Sequence, residues 1–203
     1  MHHPPYIRYD GINKRPSSLF FGMVNQGVIG SLQAVTAFPL ERAIMLRERA
    51  SGSYSTSSYF MARTLVDSIT ILWPPIVFSC ICYWSIGYQY NVGKFFIYTM
   101  FHVLDAFAAT ALATLVVCTC VSIERSTVVL SFLFEVTRLF GGLYTSPALL
   151  GDYGDWRFAD ALSYIKYAYV GVALNELTDL EYDCPPGKCV SVLLCWCECL
   201  GIT

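Results

Sequence analysis

Four long apolar segments dominate this sequence and limit the folds that it can adopt. They cover residues 19–40, 64–88, 95–123 and 126–150. The first has 22 residues without a formal charge, and as a helix it would extend about 33 Å, enough to cross a hydrocarbon core of about 30 Å. Because 55% of the 203 residues are apolar and only 14% are charged, too little polar surface remains to cover four such helices in a soluble fold. The sequence therefore predicts an all-α integral membrane protein with about four transmembrane helices.

Charge and histidine content argue against several other classes of protein. Thirteen Lys and Arg against 15 Asp and Glu give a net charge of −2, which offers no electrostatic footprint for nucleic acid. The apolar content lies far above that of a disordered chain. The three histidines, His2, His3 and His102, form no nucleophile–base spacing, so soluble catalysis is not favoured. We expect membrane lipids as partners and no nucleic acid.

The basic residues flanking the spans leave the membrane orientation open. Five lie on one side and six on the other, so the positive-inside rule favours neither topology. Four spans place both ends of the chain on the same side of the membrane. If that side is extracellular, residues 1–18 have to be translocated, yet they lack an apolar secretory segment. We therefore expect a further span upstream. Residues 190–203 are too short to span, and we expect a truncated tail there. Both ends are therefore expected to be cut from a longer protein.

A charged loop, residues 41–63, separates the first two spans. Pro39 is expected to end or kink the first helix, and charged residues then alternate with apolar ones. This composition is typical of a short helix that lies along the membrane interface, although a solvated charged loop would have the same charges. The charged residues are Glu41, Arg42, Arg47, Glu48 and Arg49, and residues 41–49 are called the coupling segment below.

Several polar strings resemble one transporter family. FPLER, followed by RERASGSYSTSSYFMAR, is similar to the junction between the second and third transmembrane helices of G-type ABC transporters, the White, breast-cancer-resistance and plant half-size proteins. YWSIGY, FGGLYTSP and YIKYAYVGVALNELTDLEYDC continue the resemblance in the same order, over about residues 6–184. It implies that the four spans are the second to fifth of the family. It also implies that the coupling segment is cytoplasmic and rests on a nucleotide-binding domain.

The resemblance also implies a division of the chain. Residues 1–18 would be the remnant of an extracellular loop, and residues 19–150 the transmembrane domain with the interfacial coupling helix. Residues 151–189 would form short extracellular re-entrant helices and loops, followed by the truncated tail at residues 190–203.

The family's ATPase domain has no counterpart in the sequence. Phosphate binding there needs G-x-x-x-x-G-K-[ST], and the Gly-Lys pairs at residues 93–94 and 187–188 lack both the first glycine and the final hydroxyl residue. We therefore expect no catalytic residue and no cofactor in this chain. ATP and magnesium would be bound by a separate nucleotide-binding domain.

Two functions are consistent with the resemblance. The chain would be the permease part of an ATP-driven exporter of lipids, sterols or other hydrophobic or amphipathic small molecules. It would pair with a second half-transporter as a homo- or heterodimer, in the plasma membrane or an endomembrane. The alternative is a truncated, non-transporting membrane protein that scaffolds or modulates full-length relatives.

The family's substrate cavity and gate can be placed on this sequence by motif. Aromatic and small polar side chains suit an apolar, loosely specified ligand, although packing or lipid-facing roles stay open for each residue. Glu135 and Arg138 are charged, stand at i and i+3 and can pair. The implied cavity residues are Phe20, Phe21, Val24, Asn25, Val28, Ser131, Glu135 and Arg138, and the implied gate residues are Leu143 and Tyr144. Asp105 has no family counterpart, and either a functional or a packing role is open to it.

Nine cysteines raise the question of disulfides and metals. Cys184 and Cys189 lie in what the resemblance makes an extracellular loop, where oxidation is permitted, and we expect a disulfide between them. Cys195, Cys197 and Cys199 lack a nearby His and the usual C-x-x-C spacing. We expect no metal site.

Overall fold

The structure is a helical bundle, known from a computed structural model. The residues that it describes are 7–8, 14–52, 54–120, 122–144, 157–178 and 182–183. The helices are α1 (Lys14–Ala50), α2 (Thr56–Ile86), α3 (Val92–Thr119), α4 (Ile123–Leu139), α5 (Arg157–Leu162) and α6 (Tyr164–Leu177). Two-residue strands, β1 (Ile7–Arg8) and β2 (Tyr182–Asp183), pair in parallel with Ile7 opposite Tyr182. The predicted all-α fold is confirmed apart from this short pairing.

Helix α1 is longer than the predicted first span, with 37 residues. It does not end at Pro39, and the coupling segment forms its last turns instead of a separate interfacial helix. Residues 40–50 are rich in Leu, Ala, Met, Glu and Arg, which are all good helix formers. Their helix propensity outweighs the loss of the one backbone hydrogen bond that Pro39 cannot donate, so the helix continues. The chain turns only at Gly52, which has a positive φ of 75° and donates its N–H to the Arg49 carbonyl at 3.0 Å.

Helices α2 and α3 are each long and apolar enough to cross a membrane, as two of the four predicted spans require. Helix α2 begins eight residues before the predicted span, because the Ser55 hydroxyl caps it by accepting the Ser58 N–H at 3.4 Å. It continues through Pro74 and Pro75 to Ile86, and Gly87 caps it with a φ of +72°.

Helix α4 is shorter than the predicted fourth span. It ends at Leu139, and the predicted end at residue 150 falls outside the described residues. Phe140 caps the helix, and Gly142 follows with a φ of +92°, a conformation that favours glycine and stops helical propagation.

Helix α3 occupies the centre of the bundle and packs most extensively against α1. The facing surfaces are lined by small residues, which let two helix backbones approach closely in a membrane. A Cβ added at Gly30 would lie 3.1 Å from Thr110 Oγ1 and 3.5 Å from the Ala106 carbonyl oxygen. Two buried apolar clusters flank this contact, one around Phe20 and Tyr98 and the other around Val35.

A polar network ties together the start of α1, the α2–α3 turn and the end of α6. Arg15 Nη1 donates to Glu176 Oε1 at 2.5 Å, and Arg15 Nη2 donates to the Gly87 carbonyl at 2.9 Å. The Gln89 backbone N–H donates to the same Glu176 oxygen at 3.1 Å. Lys94 Nζ donates to Gln89 Oε1 at 2.8 Å. This Arg15–Glu176 network fixes three separate chain segments at one end of the bundle.

Candidate functional site

One face of α1 carries three of the predicted cavity residues. Phe21 is 54% exposed and Val28 38% exposed, and Asn25 between them is also exposed. Spacings of four and three residues place all three on one side of the helix. Phe20 and Val24 point elsewhere and are buried. The predicted set therefore divides between an open face of α1 and its packed side.

The predicted α4 residues lie beside this face. Ser131 is exposed. Arg138 Nη2 lies 2.7 Å from Glu135 Oε2, so the expected i, i+3 ion pair is present. A small cavity of about 30 Å³ lies where α1, α4 and α6 meet, and its lining includes Val24, Val28, Glu135, Arg138 and Tyr164. The structure thus brings residues from both halves of the predicted cavity into one place.

The exposure of the ion pair limits what can cover this face. The Glu135 side chain is 64% exposed and the Arg138 side chain 43% exposed. A charge near the middle of a bilayer costs about 2.5–3.5 kcal/mol on insertion scales, so charged side chains of membrane helices face protein or water. Both residues stand in the last two turns of α4, and this end of the helix presents an exposed ion pair.

The predicted gate residues follow α4 directly. Leu143 is half-buried and packs on the apolar cluster around Phe20, whereas Tyr144 is exposed. The Tyr144 ring meets the Phe20 ring edge-on, with centroids 5.6 Å apart. A Cβ at Gly141 would lie 2.7 Å from Phe20 Cε2, so any larger residue would force the ring or the backbone to move. The gate segment is therefore held against α1 by an aromatic contact.

The coupling segment is exposed at its tip and anchored at its base. Arg47, Glu48 and Arg49 are exposed, whereas Glu41 and Arg42 are half-buried.

A tyrosine in the following turn anchors the tip. The Tyr54 hydroxyl donates to Glu48 Oε2 at 2.7 Å, and this hydrogen bond is the main cause that raises the pKa of Tyr54 to about 12. The exposed tip is thereby linked to the turn between α1 and α2.

Sequence reasoning missed the residue that joins the coupling segment to α2. Arg63 forms ion pairs with Glu41 of α1 and, at 2.7 Å, with Asp67 of α2. The Tyr59 hydroxyl donates to Glu41 Oε2 at 3.4 Å. The i, i+4 spacing of Arg63 and Asp67 is a signal for pairing, but nothing in the sequence alone connects either residue to Glu41. These groups border a cavity of about 590 Å³ between α1 and α2.

The structure bears only in part on the cysteine and metal predictions. Cys184 and Cys189 lie outside the described residues, as do Cys195, Cys197 and Cys199. Cys80, Cys82, Cys118 and Cys120 are free thiols. In the part of the chain that the structure describes, no three His, Cys, Asp or Glu side chains are grouped for metal binding.

Comparison with known proteins identifies the family. The model of a family described as "ABC-2 type transporter" matches residues 5–177. The chain belongs to the ABC-2 type transporter family. It is accordingly a multi-pass integral membrane protein, as the sequence predicts.

Individual relatives support the G-type resemblance. The chain is similar to a mouse "Broad substrate specificity ATP-binding cassette transporter ABCG2", with 28% identity over 88% of this chain and 27% of the relative. "Protein white" of Ceratitis capitata is 27% identical over 90% of this chain and 26% of the relative. "ABC transporter G family member 7" of Arabidopsis thaliana is 27% identical over 85% and 23%, respectively. The chain thus spans about a quarter of the length of these relatives.

Proposed function

We propose that this chain is the permease part of an ATP-driven exporter, coupled to a nucleotide-binding domain that it does not itself contain. Membership of the ABC-2 type transporter family supports the permease role. The names of relatives from mouse, fly and plant, all ABC transporters or White, favour the G-type arrangement. In this arrangement the chain works with a second half-transporter.

The exposed Glu135–Arg138 ion pair on α4 carries the proposal. Such a pair needs water or protein opposite it, and a translocation path between two protomers supplies both. The neighbouring α1 face, with Phe21, Asn25 and Val28, is mainly apolar with one amide. We propose that the two faces together form the wall of this path.

The chemistry of that wall favours an amphipathic substrate, such as a lipid, a sterol or a related small molecule. Phe21 and Val28 offer contact area that needs little directional matching. Asn25 and the Glu135–Arg138 pair offer donors and acceptors at one edge. A ligand with an apolar body and one polar group would satisfy both.

The coupling segment would transmit the ATP-driven movement of the nucleotide-binding domain to the helices. Its exposed tip, Arg47 to Arg49, presents both signs of charge to a partner. Its base is tied to α2 through Glu41 and Arg63, so a force on the tip acts on two helices together. This connection supports a role in transmitting motion from the nucleotide-binding domain.

Reconstitution with an ATPase domain tests the proposal. The chain would be co-expressed with the separately encoded nucleotide-binding domain of a G-type relative and reconstituted in proteoliposomes. We expect ATP-dependent transport of a fluorescent sterol or phospholipid analogue, and loss of transport when Asn25 and Glu135 are both replaced by bulky Trp.

The controls separate transport from modulation. In a second experiment, the chain is co-expressed with an intact relative in place of the isolated ATPase domain. If the chain binds the intact relative and alters its transport rate, but never supports transport with an ATPase domain alone, the modulator function is correct and the permease function is wrong.

A further inference from the structure

The cavity between α1 and α2 has walls of small side chains. Its volume is about 590 Å³, within the range of about 300–1,000 Å³ that is typical of small-molecule sites. Gly30, Ala34 and Ala37 line it from α1, Ala62 lines it from α2, and Thr110 of α3 lines it as well. Because the glycine and the alanines carry at most one methyl group, they leave room between the two helices. This space is called the α1–α2 groove below.

The α1–α2 groove lies on the side of α1 opposite the proposed substrate path. Phe21, Asn25 and Val28 share one side of the helix, and Gly30 follows Val28 by two residues, a rotation of about 200°. Ala34 and Ala37 stand four and seven residues after Gly30, so they share its side. An occupant of the groove would therefore be a second ligand, separate from a substrate on the path.

The two ends of the groove differ in polarity. Glu41 and Arg63 line one end, and they stand directly after the first predicted span and directly before the second. Gly30 and Ile71 line the other end and lie well inside those spans. The predicted spans thus place the charged end at the membrane surface and the apolar end within the membrane, which is the orientation of an amphipathic molecule.

The middle of the groove adds no charge. Gln33, Thr36 and Thr70 are the polar residues that line it. Both threonine hydroxyls donate within their own helices, to the Leu32 and Val66 carbonyls, at 3.1 Å each. The charged end alone therefore determines which head group the groove can hold.

The charged end carries one surplus negative charge. Arg63 pairs with one oxygen of each acid, Glu41 Oε2 and Asp67 Oδ2, and its side chain is only 16% exposed. The two carboxylate side chains are 42% and 41% exposed, respectively. No described residue donates to the second oxygen of either acid. Arg42 follows Glu41 along the chain but does not line the groove, so Arg63 is the one cation among its described lining residues.

We propose that the α1–α2 groove binds an amphipathic amine, a molecule with one primary ammonium group on an apolar chain. Its single positive charge balances the surplus negative charge, and its N–H groups donate to the second oxygens of Glu41 and Asp67. A phosphate head group would need a cation instead, and Arg63 is already paired with both acids. The apolar chain fills the space beside the small residues, so the bound amine joins α1 to α2 at the base of the coupling segment.

Thermal unfolding of the purified 203-residue chain in detergent at neutral pH tests the site, with dodecylamine as the probe. An alkylamine carries a proton at this pH, as the Lys side chain does. Dodecanol has the same chain without the charge, and dodecyltrimethylammonium has the charge without an N–H donor. We expect a saturable rise in apparent Tm with dodecylamine, of about 3 °C or more at ten times its Kd, and a much smaller rise with either of the other compounds.

Two pairs of variants locate the binding. Asp67→Asn removes the surplus charge and should raise the Kd for dodecylamine at least tenfold, whereas Glu124→Gln, which neutralises an acid of α4 outside the groove, should leave it unchanged. Ala34→Phe fills the groove and should abolish the rise in Tm, whereas Ala111→Phe, at an exposed position of α3, should retain it.

Three results would overturn the proposal. An equal rise with dodecanol means that the groove accepts any apolar chain and does not recognise the ammonium group. An amine effect that persists in both Asp67→Asn and Ala34→Phe places the amine elsewhere. If dodecylamine has no effect, the groove is not an amine site, and a smaller particle mass of Ala34→Phe in light scattering would assign it to a second copy of the chain.

Further variants keep the test decisive if the first ones do not fold. Glu41→Gln makes the same change in charge as Asp67→Asn, and it should also raise the Kd at least tenfold. Ala62→Phe fills the groove from α2, where Ala62 is exposed, and it should abolish the rise in Tm as Ala34→Phe does.

Discussion

Arg15 is the partner that compensates the buried carboxylate of Glu176. The Arg15 side chain is 15% exposed and that of Glu176 2% exposed, with 2.5 Å between Nη1 and Oε1. Arg15→Met leaves the carboxylate buried with the Gln89 N–H as its remaining close donor. Removing one partner of a buried pair costs about 3–5 kcal/mol. For a chain of this length, each kcal/mol lowers the Tm by about 2–4 °C, so we expect a fall of about 6–20 °C.

The pH dependence of this loss has a defined sign. Burial raises the pKa of Glu176, which lies on α6 outside the predicted spans, and Arg15 acts in the opposite direction. Without Arg15 the pKa rises further, so the folded state favours the protonated acid more than the unfolded state does. The destabilisation is then full at neutral pH and shrinks as the pH falls towards the range in which Glu176 gains a proton.

The assay is thermal unfolding followed by tryptophan fluorescence, in detergent, between neutral and mildly acidic pH. The double variant Arg15→Met, Glu176→Gln removes both charges and should recover most of the lost Tm at neutral pH. A single-variant loss under about 1 kcal/mol, or a loss that does not change with pH, would refute the assignment of Arg15 as the compensating charge.

Three further predictions concern the site. Gly141→Ala should lower stability by about 1–3 kcal/mol, because the new Cβ meets the Phe20 ring at 2.7 Å, and a fall in Tm measures it. Arg63→Met should reduce ATP-dependent transport in the reconstituted system while the Tm falls only slightly, since its ion pairs are partly exposed. Replacing Glu135 and Arg138 together by Leu should shift transport towards less polar substrates, measured as a ratio of sterol to phospholipid analogue.

Matched substitutions serve as controls for the first and the third of these predictions. Gly93→Ala introduces a Cβ whose nearest neighbour is 3.4 Å away, and it should leave the Tm almost unchanged. Glu124→Leu removes an exposed acid from the first turn of α4, and it should not alter substrate preference. If the Leu pair lowers protein yield with an unchanged substrate ratio, Glu135 and Arg138 have a packing role only.

The transmembrane spans could be predicted where the length of an apolar segment alone determines the helix. The length of the apolar segments 64–88 and 95–123 can be read directly from the sequence, and helices α2 and α3 cover most of these segments. The sequence left open whether Pro39 ends or kinks the first helix, and α1 continues through it to Ala50, because good helix formers follow the proline. The end of α4 depended on the backbone conformation near Gly142, which the apolar pattern does not report.

The site was predictable only in part, because a sequence does not fix which side of a helix is covered. Phe20 and Phe21 are neighbours of one residue type, yet one packs on Tyr169 and the other is exposed. The Glu41–Arg63 pair joins residues 22 positions apart, on two helices whose packing has no local signature.

The continuity of α1 sets the scale of any movement passed along it. Arg49 lies 22 residues beyond Gly27, about 33 Å at 1.5 Å per residue. Gly27 sits where α1 approaches α3 closely, which makes it a natural pivot. A tilt of about 10° around that pivot displaces Arg49 by about 6 Å, roughly one helical turn. A small rotation at the α1–α3 contact therefore corresponds to a large displacement of the charged tip. Conversely, a displacement of the tip acts on that contact with the leverage of the whole intervening helix.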